Sequence, residues 1–381
     1  MKPIYLDNAA TTSVREEVAD KMALILKSTY GNPSSTHSIG RSSKSILEQC
    51  RKRIASYFNA KASEIIFTSG GTEADNLVLR SAVCDLGVKH FISSKIEHHA
   101  VLHTIEALES SAAIKVSYVR ILSDGTICLD DLENLLKQSK EKTMVSLMHI
   151  NNEIGTILDL QKVGKICKKY KALFHSDTVQ SIGHYPLDVT KIPIDFMAAS
   201  AHKFHGPKGI GFAYVRSGYG LQPIITGGSQ ERGFRAGTES IHDIVGLDTA
   251  LEIAHKNLAP ETLYIRELKT YFVQRLKKEI SDVEFNGCCD DLQNSTYTIV
   301  NICLPVILEK APLFLFQLDL NGIACSKGSA CQSGSDSGSH VLREILSAEA
   351  LKKPSIRFSF SCFNTISEID KVIVILKKLI L

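Results

Sequence analysis

The sequence predicts an α/β protein: a large, mostly parallel sheet sandwiched by helices, plus a smaller α+β domain. Two observations lead there. Through the first two-thirds of the 381 residues, short apolar runs of strand length alternate with helical patterns, which argues for βα units and a parallel sheet. Beyond a long helix expected at 238–255 the pattern changes character and reads helix, strand, helix, strand, loop, helix, strand, helix. An apolar content of 44% over this length is enough for more than one sizeable core.

Taken in order, Ser13-Val-Arg-Glu16 has the spacing of a capping box, opening an amphipathic helix with Val14, Val18, Met22 and Ile25 on one side. Residues 41–58 repeat that pattern with Ile46, Cys50, Ile54 and Phe58. A strand at 64–68, a Gly-Gly turn and a helix from Thr72 follow. Strands are expected at 90–93, 114–119, 144–148, 172–176, 194–199 and 210–215, with helices at 98–109 and 160–170. A boundary falls near Asn257–Pro260. The later part should hold strands at 296–304, 323–326 and 355–361 and helices at 311–321 and 367–379. The expected division is therefore a large domain, 13–257, and a small one built from 1–12 and 258–381. The small domain carries a Gly/Ser-rich loop at about 326–340 whose composition buries little apolar surface.

Composition narrows the function. Net charge is +3 with Lys and Arg dispersed, so no basic stripe suited to nucleic acid is present. The longest apolar runs, such as 312–316 and 372–376, are too short to span a bilayer, and the N-terminus has no signal-peptide core; a cytoplasmic location is expected. The ten cysteines should be reduced there, and no C-x-x-C pair suggests a structural zinc site. Cys50, Cys84 and Cys167 fall in helical apolar patterns and should be core residues.

Residues with chemical promise cluster in a few places. Lys203 follows the apolar run 194–199 directly and sits among His202, His205 and a glycine-rich turn. A lysine delivered to a strand end is poorly hydrated, which lowers its pKa and suits it to Schiff-base chemistry, unless it is an ordinary solvated turn lysine. Thr68-Ser-Gly-Gly-Thr72, between a strand and a helix, is either a cup for an anion on a helix N-terminus or a plain turn with a Thr cap. Asp177 ends another strand, where open α/β sheets bind ligands; it is either a helix cap or a partner for a protonated ring nitrogen, with Gln180 three residues on. His98 suits stacking on a planar ring. His99 and His103 have i, i+4 metal spacing but no third ligand in view. Arg357 alternates with Ile356 and Phe358 on a strand, and would either grip a carboxylate or lie on the surface. Cys331 lies among small polar residues, an environment that favours reactivity over packing.

Together these segments resemble the NifS/IscS-type cysteine desulfurases, pyridoxal-phosphate enzymes of the class V aminotransferase group with fold type I. The resemblance runs from Ile4-Tyr-Leu-Asp-Asn-Ala-Ala-Thr-Thr12 to Ser355-Ile-Arg-Phe-Ser359. It passes through Gly31-Asn-Pro-Ser-Ser35, Thr68-Ser-Gly-Gly-Thr-Glu-Ala-Asp-Asn76, His149-Ile-Asn-Asn-Glu-Ile-Gly155, His202-Lys-Phe-His-Gly-Pro-Lys-Gly209 and Arg235-Ala-Gly-Thr238. It implies that Lys203 joins pyridoxal 5′-phosphate. Gly71, Thr72, Ser200 and His202 would contact its phosphate, Asp177 its ring nitrogen and Gln180 its phenolic oxygen, with His98 stacked on the ring. Asn8, Asn152 and Arg357 would bind the substrate, L-cysteine. Thr238 would reach the phosphate of a neighbouring subunit, hence a homodimer. Cys331 would collect the sulfur as a persulfide for an acceptor protein, with alanine as the other product. The resemblance implies no resident metal, although Cys331 would be placed to share an Fe–S cluster transiently with a scaffold. Two departures bear on the acceptor: the chain ends at Leu381, where Fe–S-assembly relatives carry a longer tail for the scaffold, and the run around Gln332 is unusually rich in Ser and Gly. A selenocysteine lyase and a class V aminotransferase are the competing enzymes, and a catalytically idle sulfur-relay partner the competing non-enzyme.

Overall fold

The structure, a computed structural model, describes residues 3–112, 114–306, 311–327 and 338–380. In chain order its elements are β1 (Ile4–Tyr5), α1 (Glu16–Ser28), α2 (Ser38–Ser56), β2 (Ile65–Thr68), α3 (Gly71–Cys84), β3 (His90–Ser93), α4 (His99–Ala112), β4 (Lys115–Tyr118), α5 (Leu129–Gln138), β5 (Thr143–Ser146) and α6 (Leu160–Lys169). The chain continues with β6 (Leu173–Asp177), β7 (Phe196–Ser200), β8 (Gly211–Val215), α7 (Ile241–Lys256), α8 (Leu258–Glu279), β9 (Glu284–Phe285) and β10 (Ile299–Cys303). It ends with α9 (Phe314–Leu320), β11 (Ile323–Ala324), α10 (His340–Ile345), β12 (Ser355–Ser359) and α11 (Ile366–Ile380).

Seven strands form one sheet in the order β2-β8-β7-β6-β5-β3-β4. Only β8 runs against its neighbours; β7, β6, β5, β3 and β4 are mutually parallel. The inner strands are buried along their whole length, which is why β7 and β8 read as nearly continuous apolar runs, while β5 and β6 bury polar side chains toward their carboxyl ends. The carboxyl ends of β2, β6 and β7, at Thr68, Asp177 and Ser200, lead into the turns that carry the site.

A second, antiparallel sheet has the order β12-β10-β9, and β1 pairs with β11 nearby. Ile4 and Leu6 from the N-terminus share a core with Phe272, Ile302, Ile356, Phe358, Phe360 and Val372. Phe272 meets Phe358 and Phe360 edge-on, with ring centres 5.1 and 5.5 Å apart. Burying one such ring contributes about 1.5–3 kcal/mol, so these contacts fix β12, and Arg357 on it, firmly in place. Among the described residues no helix is long and apolar enough to cross a membrane.

Four expectations need correction. Ser13 and Glu16 do not form a capping box: α1 starts at Glu16 with Arg15 as a cap that makes no side-chain bond, and Val14 is exposed. Backbone bonds to His205 explain this, since Arg15 N donates to its carbonyl at 3.1 Å and its Nδ1 bonds the Ser13 carbonyl at 2.9 Å. Those contacts hold residues 13–15 extended. Thr72 is not the cap of α3; Gly70 is, at φ 154° and ψ −175°, a conformation that favours glycine. Cys84 is exposed because it falls at the outward-facing end of α3, whereas Cys50 and Cys167 are buried. Helix α5 was not expected, although Leu132 and Leu136 supply its buried i, i+4 stripe.

The segment leading to Thr238 is tied down from inside. Glu231 and Arg232 both adopt positive φ, 45° and 58°. Glu231 forms a two-pronged pair with Arg51 (2.6 and 2.7 Å) and accepts the Phe67 N–H at 2.8 Å. Both partners are almost wholly buried. Glu231→Gln leaves the buried Arg51 charge with only the half-exposed Glu48 carboxylate, 3.1 Å from its Nε, so the unfolding free energy should drop by about 2–4 kcal/mol. Urea titration of the two proteins measures this; a loss below about 1 kcal/mol would contradict the clamp.

Candidate active site

Strand β7 is apolar and fully buried, so it carries Ser200 and the short turn Ala201–Lys203 to the inner end of a cleft between the two sheets. There the Lys203 ammonium donates to the carbonyls of Ala9 and Ala10 at 2.6 and 2.9 Å. The cleft is a cavity of about 210 Å³, and ten of the residues singled out from sequence line it: Gly71, Thr72, His98, Asn152, Asp177, Gln180, Ser200, His202, Lys203 and Arg357.

One end of the cavity suits an anion. The fourteen-residue helix α3 points its N-terminus at it, and the first-turn N–H groups of such a helix have no partner within the helix. Glycine is needed at 71, where a Cβ would lie 2.5 Å from Val179. Glu73 fixes the turn by accepting the Ser69 N–H at 2.8 Å and pairing with Arg235 at 2.9 Å.

The opposite edge is acidic. Burial raises the Asp177 carboxyl, while the Val179 N–H at 2.9 Å and the nearby Lys203 pull it back toward ionisation. Gln180 Nε2 donates to the Ala9 carbonyl at 2.9 Å. His98 lies just ahead of α4; burial, then Lys203, lowers its imidazole to about 4, so it is neutral at pH 7. His202 is lowered to about 4 for the same two reasons and bonds Thr11 Oγ1 at 3.2 Å. This donor set fits a flat heteroaromatic ring with an anionic arm: a helix N-terminus for the arm, a carboxylate at the far edge, a neutral imidazole and an amine.

Arg357 is buried, not a surface residue. It donates to Asp7 Oδ1 at 2.8 Å and to the Asn152 carbonyl at 2.7 Å, while its Nε has no protein partner among the described residues. The residue also lines the cavity, where a guanidinium suits a carboxylate ligand.

Three sequence-derived candidates lie elsewhere. Asn8 is buried outside the cavity, with Nδ2 committed to the Ser359 carbonyl (2.8 Å) and Asn364 Oδ1 (3.2 Å), so it brackets β12 instead of meeting substrate. Thr238 is exposed and does not line the cavity. Cys331 lies outside the described residues. The positions on either side of its segment are anchored at the cavity wall: Ser326 pairs backbone to backbone with Arg357, Ser339 Oγ donates to Glu153 beside Asn152 (2.5 Å), and His340 Nε2 meets the Glu97 carbonyl beside His98 (2.9 Å).

Sequence reasoning missed Asp75, Met148, Val179 and the Ala9 and Ala10 carbonyls, all at the cavity wall. Asp75 was within reach, being one helical turn beyond Gly71 and so on the same face of α3. The His99–His103 pair gains His340 as a neighbour, with ring centres 4.5 and 4.4 Å from His99. His103 stacks on His99 while His340 is tilted against it, and no group of three ligands among the described residues is arranged to hold a metal ion.

Residues 4–372 match the family described as Aminotransferase class-V. The chain belongs to the class V aminotransferase family. Within it, a protein named cysteine desulfurase IscS, from Dictyoglomus turgidum, is 40% identical over 381 residues, covering 100% of this chain and 95% of its own. A solved structure titled NifS-like protein superposes with a TM-score of 0.88 at 34% identity, covering 99% of this chain and 98% of the other. A second, SspA in complex with cysteine, gives a TM-score of 0.82 at 31% identity, covering 95% and 100%. The whole class V architecture, large sheet and small sheet alike, is thus shared.

Proposed function

We infer that the protein is a cysteine desulfurase, converting L-cysteine to L-alanine with transfer of the sulfur to Cys331. The observation that carries this is Lys203 facing, across one cavity, an anion-binding helix end, a buried carboxylate and a buried arginine. Relatives bearing that name, aligned over the whole of this chain, support it, and a structural neighbour is titled as a complex with cysteine.

The residues fit pyridoxal 5′-phosphate as the resident cofactor, and we propose these roles. The α3 N-terminus with Gly71, Thr72, Ser200 and His202 would hold the phosphate, Asp177 the ring nitrogen and Gln180 the phenolic oxygen, with His98 against the ring face. Bound there, the cofactor supplies an aldehyde for the substrate amine and an electron sink for the pair released at its α-carbon. Lys203, freed as a neutral amine, takes the α-proton of cysteine. Arg357 and Asn152 orient the substrate carboxylate. The Cys331 thiolate attacks the substrate sulfur: an S–S bond forms, the Cβ–S bond breaks, and its electron pair stays on the carbon, which is protonated to give alanine. Cys331 is five residues from Ser326, a tether of at most roughly 17 Å, and Ser326 pairs with Arg357 at the cavity wall. The proposal retains residues 13–257 as the cofactor-binding part and 1–12 with 258–381 as the part bearing the thiol. It also retains a homodimer, with Thr238 directed to the partner's phosphate site, and an acceptor protein for the sulfur.

Incubating the protein with L-cysteine, pyridoxal phosphate and a thiol reductant should yield alanine and sulfide in equal amounts with no keto acid added. Alanine only in the presence of a keto acid would make it an aminotransferase. A large preference for selenocysteine would make it a selenocysteine lyase. Arg357→Lys keeps the charge but loses the fork, so KM for cysteine should rise about tenfold or more with a smaller change in kcat. An unchanged KM would remove Arg357 from the carboxylate site.

A further inference from the structure

Next to Asp177 lies a set of buried polar groups, reaching from the cavity wall into the core, that the mechanism above does not use. Asp75 on α3 is 1% exposed, and His175 on β6, two residues before Asp177 and on the same sheet face, is 0% exposed. His175 Nε2 lies 3.3 Å from Asp75 Oδ1, and the structure gives neither atom a hydrogen-bond partner among the described residues, so the pair is close but its proton placement is open. The other ring nitrogen, Nδ1, is 2.8 Å from Ser146 Oγ on β5.

We propose that Asp75 is a positioning residue that remains a neutral acid, its proton directed at His175 Nε2, so that the negative charge of the pocket is confined to Asp177. This rests on the assignment of Asp177 to the cofactor ring nitrogen.

The argument is one of charge crowding. Three carboxyls meet here with little solvent: Asp75 from α3, Asp177 from β6 and Glu97 from the connection into α4. Like charges at such separations do not all ionise. Asp177 has the best claim to the charge, because it accepts the Val179 N–H and lies near Lys203. Glu97, although bonded by Ser94 Oγ at 2.6 Å, is pushed up to about 8 by burial, so it too is protonated at neutral pH. Asp75 is raised by burial first and then by the neighbouring Asp177 charge. Its nearby base is His175, which burial lowers to about 3, so the imidazole stays neutral. With the Asp75 proton on Oδ1, a neutral ring must accept it at Nε2 and carry its own proton on Nδ1. Asp75 O–H donates to Nε2, and Nδ1–H donates to Ser146 Oγ, which assigns the tautomer of His175. Electrically the pair is then silent, and Asp177 is the anion that a protonated ring nitrogen meets.

The test uses the cofactor-loaded protein labelled with ¹⁵N-histidine, the His175 signals being assigned with a His175→Gln variant. The proposal expects Nδ1 to carry the proton and Nε2 to be unprotonated, unchanged between about pH 6 and 9. An Nε2–H tautomer or an imidazolium would overturn it, because Nε2 would then be a donor to Asp75 and not the acceptor of its proton. A second arm reads the pH midpoint of the cofactor absorbance. Asp75→Asn swaps one neutral group for another and should move that midpoint by less than about 0.3 unit. In an Asp177→Asn background Asp75 is free to ionise and substitute for the lost charge. There, adding Asp75→Asn should lower the midpoint by a further unit or so. A shift of about one unit from Asp75→Asn alone contradicts the proposal. The NMR arm can also be read without cofactor, so a wild-type protein that binds no pyridoxal phosphate overturns the functional reading while the state of His175 still decides this one.

Discussion

Lys203→Ala protein should fold, lack the yellow absorbance of the wild type after incubation with pyridoxal phosphate, and turn cysteine over at least about 10³-fold more slowly. Its effect is large because one amine has two tasks. In the proposed mechanism it anchors the cofactor, and once displaced by substrate it is the base for the α-proton. The structure explains how a lysine comes to do this. The apolar strand β7 delivers the side chain to the floor of the cavity, where it bonds the backbone carbonyls of Ala9 and Ala10. These are acceptors without charge, so they hold the amine in place without fixing its proton as a carboxylate would. Added primary amines should restore part of the activity by supplying the missing base. Wild-type absorbance and turnover in the variant would remove Lys203 from the chemistry altogether.

Cys331→Ser should produce a different failure. The protein should bind pyridoxal phosphate with the wild-type spectrum and respond spectrally to cysteine, yet form alanine at least about 10²-fold more slowly. A hydroxyl is a far poorer nucleophile toward sulfur than a thiolate, and the preceding steps do not involve residue 331. The contrast between the variants is informative: Lys203→Ala loses the colour and the activity together, whereas Cys331→Ser loses the activity alone. Stoichiometric alanine at the wild-type rate from Cys331→Ser, with reductant present, would assign the sulfur-accepting step elsewhere.

Much of the architecture is legible in the sequence because buried parallel strands leave a simple mark. Residues 196–200 are apolar enough to be recognised without knowing what covers them, and the strands at 90–93, 173–177 and 196–200 all lie within a residue or two of the expected positions. The site was legible for a related reason: Gly71, Asp177 and Lys203 occupy ends of elements, where residue type and position together indicate exposure to a ligand. What stayed hidden depends on contacts distant in sequence. The burial of Arg357 comes from Asp7 and Asn152, roughly 350 and 205 positions away. The loss of the capping box at Ser13 comes from His205, and no local pattern announces that competition. Asp75 was overlooked because an acidic residue in the first turns of a helix is ordinary; its partner, His175, is a hundred residues on.

The most direct measurement is borohydride reduction of the pyridoxal-phosphate-treated protein, followed by peptide mass mapping. The account predicts a single phosphopyridoxyl adduct on Lys203, its formation prevented by prior addition of excess cysteine. An adduct on another lysine, or scattered over several surface lysines with none at 203, would contradict it.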